Sequence, residues 1–184
     1  MSFGLQRTCR TIIGRTHRLP PQGQTDDFDG AGLVFDDSPD GQRLGAIYLY
    51  WDGKRRGRLM PSRADIDPLE LKPYLPQLVL LDVEGEPPRF RYRLVGTEVT
   101  RVRRGLSNSD PTGRFVDEVT HHQGTEAVLA HYCRVVAQRR PSTDAGTYPP
   151  SPERPWLRFS RLVLPLSPDD VTVNMLLVAL VPMR

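Results

Sequence analysis

Prolines divide this chain into short segments. The sequence has 18 prolines among 184 residues, about twice the usual share of roughly 5%. Proline has no backbone N–H to donate and breaks the interior of a helix. This density therefore excludes a long helical bundle and predicts short helices and strands separated by many turns.

One segment between the prolines has a helical pattern. Leu44, Ile47, Tyr48 and Trp51 recur at helical spacing, so we predict an amphipathic helix over residues 43–56. Basic residues follow in its last turn, where cations complement the helix dipole. Two interpretations of the apolar stripe remain open: it packs on its own domain, or these four residues form the interface of a homodimer.

A hairpin follows this helix. Residues 77–83 have the apolar run of a buried strand, whereas residues 89–95 alternate strictly between arginines and apolar residues. Between the helix and the hairpin, Asp67 and Pro68 predict the start of another short helix.

The remaining segments complete a mixed pattern. We predict a longer helix over residues 125–139 and strands over 142–148, 156–166 and 171–181. This order of elements indicates an α+β fold with a mainly antiparallel sheet.

Charge separates the N-terminus from the rest of the chain. Residues 1–18 contain four arginines and no acidic residue, and residues 24–41 contain six aspartates and no basic residue. Such segments usually stay solvated. We therefore predict a flexible N-terminal extension over residues 1–40 and a folded domain over residues 41–184.

Composition also limits the class of protein. No apolar run approaches the roughly 18 residues of a membrane helix. Two cysteines, Cys9 and Cys133, exclude a disulfide-rich scaffold, and as free thiols they favour a cytoplasmic location. The net charge of +3 does not by itself imply a nucleic-acid partner.

Four motifs carry a resemblance to a known family. They are residues 58–68 (RLMPSRADIDP), 92–97 (YRLVGT), 112–118 (TGRFVDE) and 164–167 (LPLS). In their order and spacing they resemble the PAS domain family, and more narrowly its bacterial PAS_5 type, formerly a domain of unknown function. The resemblance implies a five-stranded antiparallel sheet with helices packed on one face, here preceded by the amphipathic N-terminal helix. It implies sensing or protein interaction without catalysis, and it supplies no ligand.

The resemblance also suggests where a ligand could lie. In PAS domains the pocket lies between the concave face of the sheet and the helices. The corresponding candidates here are the aromatic and aliphatic residues Phe90, Tyr92, Leu94, Tyr132 and Val136. A pocket with this lining suits a small apolar ligand. A filled core without a cavity is the alternative.

Charged residues in and near the motifs form a second candidate set. Arg63, Asp65, Arg93 and Asp117 combine the residue types of bidentate ion pairs, which can fix a loop. The alternative is that they contact an anionic ligand.

Arginines also follow one another along the hairpin and the next helix. Arg89, Arg91, Arg93, Arg101, Arg103 and Arg104 could form a basic patch for nucleic acid or for an acidic protein. Nucleic-acid binding usually adds aromatic stacking, but the strand's aromatics alternate onto the opposite face. We therefore favour a solvated sheet face.

The sequence favours no metal, cofactor or catalytic site. His121, His122, His131 and Cys133 lack the spacing of a zinc site. A haem held by His131 or a flavin adduct on Cys133 has no supporting motif, and no cofactor is predicted. We find no catalytic triad and no phosphate-binding loop.

These observations favour a non-enzymatic signalling module. It would act through an unknown signalling protein, as a homodimer and without a membrane partner. A small-molecule sensor with an apolar pocket is the alternative. Nucleic-acid binding through the arginine-rich sheet face is a minor one.

Overall fold

A computed structural model describes residues 33–103, 110–119, 125–148 and 157–182. Its helices are α1 (Pro39–Arg55), α2 (Thr97–Arg103), α3 (Val116–Val119) and α4 (Thr125–Gln138). Its strands are β1 (Leu78–Glu84), β2 (Arg89–Val95), β3 (Ser142–Tyr148), β4 (Leu157–Leu166) and β5 (Met175–Pro182). The predicted α+β class is therefore confirmed.

The five strands form one antiparallel sheet in the order β2-β1-β5-β4-β3. The last strand of the chain, β5, lies at the centre and is buried along most of its length. Its near-continuous apolar sequence is typical of a strand that is covered on both faces. The five-stranded sheet implied by the PAS resemblance is confirmed.

Helix α1 begins and ends at residues suited to those positions. Ser38 is the N-cap, and its Oγ accepts a hydrogen bond from the Gly41 N–H at 3.0 Å. At the other end, Arg56 adopts a left-handed conformation with φ of 51°, and Gly57 follows with φ of 86°. Gly57 thus directly follows the C-cap of the helix, a position that favours glycine.

The apolar stripe of α1 packs on its own domain. Leu44, Ile47, Tyr48 and Trp51 are all buried, and the Trp51 indole Nε1–H donates to the Pro165 carbonyl at 2.9 Å. The assignment of these side chains to a dimer interface is therefore wrong, because the sheet already covers them. The exposed side of α1 presents Leu49 instead, whose side chain is 68% exposed.

A β-bulge changes the faces of β2. Leu81 lies opposite Tyr92, but Leu80 lies opposite Leu94, so β2 has one extra residue at Arg93. Because a bulge shifts the alternation of side chains, Leu94 does not share the buried face of Phe90 and Tyr92. It is 44% exposed, which corrects its prediction as a pocket residue.

The segment before α1 contacts the core. Leu33 and Phe35 are partly buried against it, although they belong to the predicted extension. Residues 1–32 lie outside the described residues, so the extension stays a prediction.

The state of Cys133 differs from the one expected from the sequence. Cys133 is fully buried and disulfide-bonded, so the interpretation as a free thiol is wrong for this residue. Cys9 lies outside the described residues. Within the part of the chain that the structure covers, no helix is both long and apolar enough to cross a membrane. The cytoplasmic location stays a prediction and loses the support of a free Cys133.

Candidate functional site

Aromatic rings meet where the apolar pocket was predicted. The rings of Phe90 and Tyr132 make an edge-on contact with centroids 5.2 Å apart, and both side chains are buried. Tyr92 is buried and Val136 is partly buried. The structure thus places four of the five predicted pocket residues in the core and brings Phe90 and Tyr132 into contact.

The arginines of β2 are engaged within the molecule. The guanidinium groups of Arg89 and Arg91 lie 3.7 and 4.2 Å from the centroid of the Phe115 ring. Such stacking is a cation–π interaction. The backbone of residues 113–115 also pairs with β2, through hydrogen bonds between Tyr92 and Gly113 and between Tyr92 and Arg114.

Acidic side chains neutralise the same arginines. Arg89 contacts Asp117 and Glu118, Arg91 contacts Glu84, and Arg93 contacts Asp82. Arg101 lies 3.7 Å from Glu98. The side chains of Arg103 and Arg104 lie outside the described residues. The charge of the predicted basic patch is therefore largely balanced along β2, which weakens the nucleic-acid alternative.

The residues 58–68 motif ties the loop after α1 to the turn between β4 and β5. Arg58 donates to the Ser167 carbonyl at 2.8 Å, and the Met60 N–H donates to Asp170 at 3.1 Å. In the same loop, Asp65 accepts hydrogen bonds from the backbone and hydroxyl of Ser62. These bonds lower the pKa of Asp65.

The four predicted charged residues have separate partners. Arg63 donates to the Ile66 carbonyl at 2.9 Å, whereas Asp65 bonds Ser62 as described. Arg93 and Asp117 contact residues outside the predicted set. The structure does not join them in one anion site, and each fixes a local contact.

The structure also contains a buried charged cluster that the sequence did not predict. Arg161 on β4 lies directly opposite Asp144 on β3, and its Nε donates to the carboxylate at 2.8 Å. His131 on α4 places Nδ1 3.0 Å from the same carboxylate. Arg161 and His131 are only 4% and 2% exposed. No spacing signal could have shown this cluster, since its members come from three elements.

The electrostatics of the cluster centre on Asp144. Burial alone would raise the pKa of Asp144, but the contacts with His131 and Arg161 outweigh burial and lower it to about 2. His131 is close to the carboxylate, yet neither of its ring nitrogens makes a well-directed hydrogen bond within the described structure. Buried polar atoms without such bonds are costly, so the cluster is a place where a bound group or water would be stabilising.

A cavity of about 420 Å³ lies on the other face of β3. Because neighbouring strand residues point to opposite faces, Ala145 and Ser160 face away from the Asp144–Arg161 pair. The cavity is lined by residues from the segment before α1, from the first turns of α1, and from β3 and β4: Val34, Phe35, Asp36, Ser38, Asp40, Gly41, Leu44, Thr143, Asp144, Ala145 and Ser160. Asp144 lines the cavity as well, although its carboxylate is turned toward Arg161 and His131 on the opposite face.

Metal ligands are not grouped in the described structure. No set of three or more His, Cys, Asp or Glu side chains there is arranged to hold a metal ion. His121 and His122 lie outside the described residues.

The comparison with known families agrees with this architecture. A family model described as a PAS domain, of the PAS_5 type, matches residues 41–181. No curated protein matches the chain. The match spans well over half of the sequence and includes most of α1, nearly the complete sheet and the charged cluster around Asp144. The chain therefore belongs to the PAS domain family, whose members are in general sensory or signalling modules.

Proposed function

We propose that this chain is a non-enzymatic sensory module that binds a small molecule in the cavity beside β3 and signals through contact with a partner protein. The cavity itself carries the proposal. Its volume of about 420 Å³ falls within the range of about 300–1,000 Å³ that is usual for small-molecule sites.

The position of the cavity supports a sensory role. Two parts of the chain that are distant in sequence form its walls, namely residues 34–44 and strands β3 and β4. A molecule bound there would bridge the N-terminal segment and the edge of the sheet.

Asp144 offers a path for the signal. Asp144 lines the cavity and contacts both Arg161 on β4 and His131 on α4. A ligand that shifts β3 would therefore change how α4 is held. This coupling needs no chemical step, in keeping with a module that acts through a partner.

We also propose a homodimer, formed through a surface other than the apolar stripe of α1. Since the sheet covers the Leu44–Trp51 stripe, a second copy would have to use exposed residues such as Leu49.

Native mass spectrometry of the full chain tests the proposal. We expect a mass excess over the chain in the wild type, and its loss in Ala145→Leu, which adds bulk to the cavity wall. Thr147→Leu is the matched control, because Thr147 is also an exposed β3 residue but does not line the cavity. The same spectrum counts the chains in the particle.

Two results would count against the cavity as a site. The first is a bound mass that Ala145→Leu leaves unchanged. The second is an apo wild type for which a library of small molecules shifts the melting temperatures of Ala145→Leu and Thr147→Leu equally.

A further inference from the structure

We propose that the N-terminal segment, residues 1–32, runs along the outer edge of β3 and is fastened to α4 by a disulfide bond between Cys9 and Cys133. Reduction of that bond then uncovers the edge of the sheet. This inference goes beyond the proposed function and needs no ligand in the cavity. It starts from the open side of β3.

Strand β3 is an edge strand without the usual protection. It pairs with β4 alone, so along its other side the backbone groups of residues 142–147 have no strand partner among the described residues. Edge strands are normally protected by Lys, Pro or a β-bulge. Strand β3 contains neither residue, and its register with β4 is unbroken. Its one charged side chain, Asp144, is bonded to Arg161, so nothing in β3 itself blocks strand pairing.

The N-terminal segment joins the described chain beside this edge. Val34 and Phe35 line the same cavity as Thr143 and Ala145 of β3. The first turns of α1 also line that cavity, so the segment enters on the face of the sheet that α1 covers. The segment that ends at this point is therefore the part of the chain best placed to cover the outer edge of β3.

The disulfide bond indicates where the segment continues. Cys133 on α4 is disulfide-bonded, and the sequence has only one other cysteine, Cys9. Helix α4 lies on the face opposite the cavity, because its His131 contacts the Asp144 carboxylate, which points away from the cavity side of β3. A bond between Cys9 and Cys133 therefore requires the segment to pass from one face of the sheet to the other, and the edge of β3 is the nearest route.

The segment is long enough for this path. The 23 residues between Cys9 and Leu33 can span about 80 Å when they are extended. The seven residues of β3 occupy only about 23 Å along the strand. The segment can therefore follow the whole edge and still reach α4.

The proposed bond makes the cover reversible. In exchange with a dithiol reductant, the S–S bond of the protein breaks and an S–S bond forms within the reductant. Cys9 and Cys133 each gain one electron and one proton, and the reductant loses two of each. Disulfides in a reducing compartment commonly sense the redox state, which suits a sensory module.

Tryptic digestion of the full chain without reductant tests the bond. After treatment with oxidised glutathione, we expect one product in which residues 8–10 are joined to residues 115–134, and its separation into two peptides by dithiothreitol. The intact oxidised protein should have the mass of a single chain under denaturing conditions. Absence of the joined product, or its origin in a disulfide-linked dimer, would overturn the proposal.

Hydrogen exchange tests whether the segment covers β3. About half of the amides in an edge strand point away from its neighbour. We expect these amides in residues 142–147 to exchange about tenfold more slowly in the oxidised chain than in the reduced chain. Cys9→Ser should resemble the reduced wild type even without reductant. Thr8→Ala is the matched control, since it alters the adjacent residue, keeps the sulfur and should behave like the wild type.

Strand β5 provides the internal reference, because it lies at the centre of the sheet and should exchange equally in both redox states. Equal exchange of β3 in the oxidised and reduced chains would overturn the proposal, as would an equal change in β5, which indicates general loosening. These failures are distinct from failure of the proposed function. A ligand that native mass spectrometry detects and that Ala145→Leu removes would still support the cavity as a site.

Discussion

The buried guanidinium of Arg161 is surrounded by two aromatic rings and one carboxylate. Its side chain is almost fully enclosed, and its guanidinium lies 5.4 Å from the Tyr132 ring centroid and 5.8 Å from that of Phe159. Asp144 provides its carboxylate partner from the adjacent strand. Since a buried ion that loses its partner is strongly destabilising, Asp144 holds β3 against β4.

Removing that partner should be costly. We expect Asp144→Asn to lower the free energy of unfolding by about 3 kcal/mol, because Arg161 keeps its charge without a counterion. The matched control is Asp82→Asn, which breaks the exposed pair with Arg93 and should cost less than about 1 kcal/mol. Urea unfolding measures both. Equal costs would contradict the assigned role of Asp144.

The same residue predicts an acid-sensitive step. The pKa of Asp144 is lowered in the fold to about 2, whereas an unperturbed Asp has a pKa of about 3.9. Its stabilisation is complete above about pH 4 and is lost as the pH falls through about 2. The wild type should therefore lose about 2 kcal/mol more than Asp144→Asn between pH 5 and pH 2. Parallel pH profiles of urea unfolding for the two proteins would contradict this.

At the scale of elements, α1 is joined to the domain by contacts of several kinds. Trp51 donates a hydrogen bond to Pro165 at 2.9 Å, and Tyr50 accepts one from the Asp67 N–H at 2.8 Å. Lys54 forms an ion pair with Glu70 at 2.5 Å. The helix is therefore an integral layer of the fold, and its opposite side remains available to a partner.

Substitutions on the two sides of α1 should differ sharply. Trp51→Glu places a charge where the wild-type side chain is fully buried, so we expect loss of more than about 4 kcal/mol and no folded monomer. Leu49→Glu should change stability by less than about 0.5 kcal/mol. Circular dichroism and sedimentation measure fold and assembly. A Trp51→Glu protein that is folded and monomeric would contradict this expectation and would support the rejected assignment of Trp51 to a dimer interface.

Two glycines, Gly96 and Gly53, differ in the space available for a side chain. A Cβ on Gly96 would collide with the backbone carbonyl oxygens of both Leu75 and Pro76. In contrast, a Cβ on Gly53 in α1 would meet no atom within 4 Å. The glycine in residues 92–97 is therefore required by close backbone packing between the end of β2 and the turn before β1.

Alanine at these positions should act with opposite signs. We expect Gly96→Ala to destabilise the protein by more than about 2 kcal/mol, because backbone atoms must move. Gly53→Ala should stabilise it by about 0.5–1 kcal/mol, the difference in helix propensity. Thermal unfolding compares the two variants. A neutral Gly96→Ala would show that the turn adapts freely.

At the scale of the whole molecule, one core runs through both faces of the sheet. Helix α1 covers one face and contributes buried residues to the same apolar cluster as α4 on the other face. Strand β5 lies between them and is buried throughout most of its length. Detachment of either helix from the sheet would therefore expose the centre of the sheet to solvent.

Unfolding should consequently be a single cooperative transition. We expect the midpoints in urea to coincide when far-UV circular dichroism reports the helices and near-UV circular dichroism reports aromatic packing. Two separated transitions would contradict the shared core and would indicate that α1 unfolds as an independent unit.

Local patterns in the sequence were enough to predict most of the elements and the family. Period-two alternation predicted the bounds of β2, and the prediction of a weak strand over residues 142–148 matches β3. The order of the predicted elements indicated the fold class, and the motifs at residues 58–68, 92–97, 112–118 and 164–167 indicated the family. These signals are local, because strand and helix periodicity and cap residues act over a few neighbouring positions.

The contacts that those elements make depend on tertiary packing. The bulge at Arg93 turned Leu94 outward, and the helix predicted at Asp67 is replaced by turns in which the Asp67 carboxylate accepts the Leu69 N–H. The apolar stripe of α1 could have packed on a second copy or on the sheet of its own domain, and in the structure it packs on the sheet. His131, Asp144 and Arg161 are separated along the chain and meet through strand register and helix placement, which depend on long-range packing that no local pattern records.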